Sequence, residues 1–144
     1  MKNALSLLLR LGLAIVLVWA GVAKWRDATA FAIDVSNYRL FPALAPYVAI
    51  MLPMCEIVVG LALIVIPSRN RWARAAALAS ALLMAMLTFA VAQVVARGIN
   101  VSCGCFGGNS GPVTSLTVVR DLALLSGALL LLALLPRPSA KSPH

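Results

Sequence analysis

The run "AAALASALLMAMLTFAVAQVVA", residues 75–96, carries Gln93 as its only strongly polar side chain. A helix that crosses a hydrocarbon layer about 30 Å thick needs roughly 20 such residues. Working outward, three further runs have the same character. Residues 4–23 are interrupted by Arg10 and closed by Lys24, a side chain long enough to snorkel to an interface. Residues 47–67 carry Pro53, Cys55 and Glu56 inside them, and residues 116–135 carry Arg120 and Asp121 in their first turns. With 62% apolar and 11% charged residues and a mean hydropathy of +1.00, the chain lies outside the soluble globular range. The expected fold is an all-α membrane protein, a four-transmembrane-helix bundle forming one domain over residues 1–136. The polar, proline-containing tail 137–144 is expected to be disordered, and His144 within it makes no case for catalysis or metal binding.

A competing expectation makes residues 1–23 a cleaved signal peptide, because a basic start, an apolar core and small residues near Ala20 and Ala23 are its ingredients. Arg10 inside that core argues against it. Between the first two spans, Phe31, Val35, Tyr38 and Ala28 recur three or four apart, while Asp27, Asp34 and Asn37 fall on other faces. This pattern predicts a short interfacial helix ended by Pro42 and Pro46, with Trp25 and Tyr38 at headgroup depth.

Orientation follows from lysine and arginine near the span ends. With the N-terminus inside, Lys2, Arg10, Arg69, Arg71, Arg74, Arg137 and Lys141 face the cytoplasm, against Lys24, Arg26, Arg39, Arg97 and Arg120 outside. Both termini are therefore expected to be cytoplasmic. The net charge of +8 is accounted for by basic loops beside anionic lipid headgroups, and no nucleic-acid partner is expected.

The loop before the fourth span contains "NVSCGCFGGNSGP", residues 100–112, with Cys103 and Cys105 one glycine apart on the expected outer face. A disulfide closing so small a ring is strained, and strain favours exchange with other thiols. As a staple it would contribute little, since the loop it closes is short. Three readings stand side by side: a redox pair, a loop-shaping disulfide or docking surface on a membrane scaffold, and a soft-metal site for Cu(I) or Hg(II) near Met51, Met54 and Cys55. Zinc is disfavoured, because a single C-x-C supplies two of the four ligands it needs. Cys55 either reaches the cysteine loop or is an inert core residue. Glu56 lies at a depth where an unpaired carboxylate is costly, so it is neutral, paired or facing a polar cavity. Its partners by depth are Arg120, Arg97 and Lys24, either in a buried pair that fixes helix register or in a proton-handling role.

"GVAKWRD" (21–27), "FAIDVSNYRLFP" (31–42), "LPMCEIVVGLAL" (52–63), "RGINVSCGCFG" (97–107) and "VVRDLALL" (118–125) together resemble the MauE-type methylamine-utilisation membrane proteins, within the wider DoxX-like group. The resemblance covers nearly the whole chain. It implies a multi-pass protein of the bacterial inner membrane that supports maturation of periplasmic disulfide-containing proteins, alongside a thioredoxin-like partner. In the methylamine pathway the client is the disulfide-rich small subunit of methylamine dehydrogenase. Carried onto this chain, Cys103 and Cys105 become the redox pair, Phe106 and Gly107 shape their loop, and Glu56, Lys24 and Arg120 are the polar intramembrane positions. Arg97, nearby in sequence, is a candidate to stabilise a thiolate. Membrane disulfide generators that reduce quinone relay electrons through two cysteine pairs. This chain has three cysteines, enough for one internal disulfide, so a partner's thiols are the expected electron route. Quinone is the one cofactor left open, and whether the chain is itself an enzyme or a component of an oxidoreductase system stays open with it.

Overall fold

The computed structural model describes residues 2–40, 42–68, 70–99 and 113–136. The predicted loop residues Cys103, Cys105, Phe106 and Gly107, and the tail 137–144, lie outside the described residues. Among the described residues, five α-helices follow in order: α1 (Lys2–Arg26), α2 (Ala28–Asn37), α3 (Ala45–Val65), α4 (Arg71–Ala96) and α5 (Ser115–Leu134), with a 3-10 turn at Pro42–Leu44. Four of the helical segments are long and apolar enough to span a membrane: Asn3–Arg26, Pro42–Val65, Arg71–Ala96 and Ser115–Leu134. The molecule is an all-α, multi-pass membrane protein.

The spans pack as two intimate pairs, α1 with α3 and α4 with α5, closed into a bundle by α3 against α4 and α1 against α5. Small residues let the first pair approach closely. A Cβ added at Gly21 would lie 2.8 Å from the Pro53 carbonyl oxygen, and one at Gly60 would lie 3.1 Å from that of Ala14. In lipid there is little hydrophobic force between helices, so such close backbone packing carries the association. The core continues through Leu13 and Leu17 of α1, Ala77 and Met84 of α4, and Ala128 and Leu131 of α5. Large apolar side chains including Leu8, Ile15, Trp19, Val58, Phe89 and Leu116 face outward. That distribution suits a bilayer solvent.

One end of the bundle holds the start of α1, the α3–α4 turn and the end of α5. There two arginines close helix C-termini. Buried Arg10 donates from Nε to the Leu63 carbonyl at 3.0 Å, from Nη1 to Ser68 Oγ at 2.6 Å, and from Nη2 to the Ile66 carbonyl. Arg74 Nη1 donates to the Leu135 carbonyl at 3.0 Å. The last carbonyls of a helix have no internal partner, and cationic donors satisfy them. Arg10, which interrupts the first apolar run, is thus the cap of α3, and α1 is packed as a bundle helix.

Besides α4, which begins at Arg71 and not at residue 75, the element boundaries depart from expectation in three places. The first helix runs on to Arg26, carrying Lys24 inside it. The second span stops at Val65 because Ile66, which precedes Pro67, is extended, as the proline ring requires of its neighbour. Pro46 does not end the interfacial helix; it sits in the first turn of α3, where a missing N–H costs nothing. The helix α2 ends instead at Tyr38–Arg39, with Arg39 at φ 53°.

Candidate functional site

At the opposite end of the bundle, where α4 and α5 flank the cysteine loop in sequence, lies a cluster of charged side chains. Lys24 and Glu56 are 1% and 0% exposed, and Lys24 Nζ donates to both Glu56 oxygens at 2.8 Å. The pair forms because Gly21 lets α1 pass against Pro53 and Glu56 of α3, one turn before Lys24. Lys24 therefore does not snorkel, contrary to the sequence expectation; its ammonium is buried against a carboxylate. Of the three candidate partners of Glu56, the structure selects Lys24.

The helix α2 covers this pair. Asp27 caps its start, accepting from the Ala30 N–H at 3.0 Å, and the Phe31 ring lies 5.7 Å from Lys24 Nζ in cation–π geometry. Phe31 packs with Ala49 and Leu52 of α3. Asp34, expected on another face, is buried beside Phe31 on the packed side of α2. Burial raises its carboxyl above the ordinary aspartate range, and the negative charge of Asp27 adds to the effect. Trp25 stays exposed and Tyr38 is half-buried.

The fourth span brings a second pair. Arg120 donates from Nε and Nη2 to Asp121 Oδ1 at 3.0 and 2.8 Å. Asp121 is buried, and its Oδ2 has no hydrogen-bond partner among the described residues. Lys24, Glu56, Arg120 and Asp121 all line one small pocket of about 20 Å³, together with Val16, Leu17 and Ala20 of α1, Met84 and Leu87 of α4, and Leu124 of α5. Two of the predicted supporting residues are thus paired, and Arg120 stands with them. Arg97 does not join the cluster. It is exposed at the end of α4, donating to Gln93 Oε1 at 3.1 Å, while Gln93 Nε2 donates to the Tyr38 carbonyl at 3.1 Å and ties α2 to α4.

The cysteine loop leaves α4 through a defined stop. The Gly98 N–H donates to the Val95 carbonyl and the Ile99 N–H to the Val94 carbonyl, both at 3.1 Å, with Gly98 at φ 64°. This is the Schellman arrangement, whose left-handed residue favours glycine. The "RG" of the sequence motif is therefore a helix terminator. Cys55 is exposed on α3 alongside Met51 and Met54, and is not a core residue. From the sequence, Asp121 is expected beside Arg120 in the same polar network at the outer end of the fourth span, but it is not among the candidate site residues, although a carboxylate in the first turns of an apolar span was the available signal. For Phe31 as the cover of Lys24 no sequence signal existed.

The family described as Methylamine utilisation protein MauE matches residues 2–134. A Methylamine utilization protein MauE of Paracoccus denitrificans is 39% identical over 131 residues, 89% of this chain and 68% of that protein. Another of the same name, from Methylophilus methylotrophus, is 40% identical over 95 residues, 64% of this chain and 47% of that protein. No solved structure matches the chain. By extent of match and identity, the chain belongs to the MauE family, whose members are involved in methylamine utilisation.

Proposed function

We propose that this chain is the membrane component of a thiol–disulfide exchange system in the bacterial inner membrane. Its termini face the cytoplasm, and its Cys103–Cys105 loop faces the periplasm. It acts with a thioredoxin-like partner on a disulfide-containing client, in methylamine metabolism the disulfide-rich small subunit of methylamine dehydrogenase. The observation that carries this reading is the anchoring of the two-cysteine loop: the Gly98 stop begins it, and Thr114, the N-cap residue of α5, ends it. Membership of the MauE family and the sequence count of Arg and Lys, seven on the expected cytoplasmic side against five outside, support the same reading.

In the exchange, a thiolate attacks a disulfide sulfur and a mixed disulfide forms as the opposing sulfur leaves as thiolate. The second cysteine of the dithiol then attacks that mixed disulfide. Two electrons and two protons have passed from the dithiol to the former disulfide, whichever protein began reduced. Cys103 and Cys105 are the exchanging pair, and Phe106 and Gly107 shape the loop around them. Arg97 at the first anchor favours the thiolate. Glu56, Lys24 and Arg120 hold the helices beneath in register.

A Cys105→Ser variant should trap a mixed disulfide with the partner, visible as a reductant-sensitive band on a non-reducing gel and absent from Cys103→Ser/Cys105→Ser. If neither single variant traps a protein and the double variant matures the client at the wild-type level, the loop is a docking surface on a scaffold.

A further inference from the structure

We propose that the furrow between α1 and α3 on the outer surface of the bundle is a binding site for an anionic phospholipid, with its phosphate at Arg26 and one acyl chain laid along α1. The furrow has a volume of about 620 Å³. It takes Ala14, Trp19, Val22 and Arg26 from α1, and Leu61 and Ile64 from α3. Ala14 is fully buried and forms its floor, while Trp19 and Val22 are exposed and form a wall. Ile15, Trp19, Val22 and Arg26 recur at four and three residues, so they share one face of the helix. Both helices are candidate spans, and the furrow therefore opens sideways into lipid.

Its length and its charge select the occupant. From Ala14 to Arg26 the helix rises about 18 Å at 1.5 Å per residue. One leaflet's share of a hydrocarbon core roughly 30 Å thick is about 15 Å, so a chain running from Arg26 to Ala14 matches the depth of a single leaflet. Among the described lining residues Arg26 alone is charged, and it has no hydrogen bond or ion pair among the described residues. The neighbouring charges are engaged elsewhere: Lys24 is paired with Glu56, and Asp27 caps α2. A guanidinium at headgroup depth offers a planar fork of donors that suits phosphate oxygens. A neutral isoprenoid quinone would fill an apolar furrow too, but it brings no charge for Arg26 to meet. The described lining residues also belong to α1 and α3 alone, whereas the cysteine loop joins α4 to α5. The site stands whether or not that loop exchanges disulfides.

Trp19 is the reporter for the test, on the full chain in phosphatidylcholine nanodiscs. The Trp25→Phe/Trp72→Phe variant leaves it as the only tryptophan, and a small fraction of lipid brominated on its acyl chains quenches indole fluorescence on contact. Brominated phosphatidylglycerol should quench Trp19 as if enriched about fivefold over brominated phosphatidylcholine, the preference that one cation near the surface gives an anionic lipid. Arg26→Gln, which removes no contact among the described residues, should bring that ratio close to one. Arg39→Gln removes an exposed arginine that does not line the furrow, and should leave the ratio unchanged. Equal quenching by the two lipids, a preference that survives Arg26→Gln, or a loss as large in Arg39→Gln overturns the proposal. Quenching by a neutral isoprenoid quinone that exceeds that of the anionic lipid at equal mole fraction, and is unchanged in Arg26→Gln, would assign the furrow to the quinone and overturn it as well.

Discussion

Lys24 and Glu56 show how a charge is kept inside a bilayer-spanning bundle. Each would be prohibitive alone at this burial, and together they are met by two hydrogen bonds of 2.8 Å and the face of Phe31. Removing one partner leaves the other buried and unpaired, so Lys24→Met should cost about 3–5 kcal/mol. Lys24→Met/Glu56→Leu should cost far less than the sum of the single changes, as read by unfolding in detergent or nanodiscs. Asp34 makes a contrasting case outside the spans. Its carboxyl is raised by burial and by Asp27, so the folded state holds that proton more tightly than the unfolded chain. Stability from this group is present near pH 4 and is lost as pH rises through the raised value. Asp34→Asn should therefore melt higher than wild type at pH 7, with the difference shrinking as the pH falls towards about 4. The need for a partner to Glu56 was legible in the sequence, because a carboxylate among apolar residues demands one. The choice of Lys24 was not, since it depends on how closely α1 and α3 pass at Gly21.

The helices were legible to within a few residues where apolar runs are long, as in α4, because length and hydropathy act on the backbone locally. Their ends were less so. Proline at the head of α3 and the left-handed Arg39 after α2 reassign which residue stops which helix. Arg10 reads in the sequence as a flaw in the first span, and only the antiparallel register of α1 and α3 turns it into a cap on Leu63 and Ile66. That register is set by glycine. At Gly21 a methyl group would press on the Pro53 carbonyl, a backbone atom that cannot rotate away. Gly21→Ala should destabilise the bundle by about 1–3 kcal/mol. Gly12→Ala, which meets nothing within 4 Å, should be neutral or slightly stabilising through helix propensity, both measured by thermal unfolding.

For the molecule as a whole, the two ends of the bundle differ in chemistry. One end is closed by Arg10 and Arg74 on helix C-termini. The other carries α2, the charge cluster and the two anchors of the cysteine loop. On the proposed function, the bundle presents that loop to periplasmic thiols while the buried cluster fixes the helices that hold it. The most direct measurement alkylates Cys103 and Cys105 in intact cells with a membrane-impermeant reagent, before and after mild reductant, in a Cys55→Ser background. The account predicts no labelling at rest and labelling of both cysteines after reduction, as for a labile disulfide on the periplasmic face. No labelling even after reduction would contradict the proposed topology, and immediate labelling without reductant would contradict a resting disulfide.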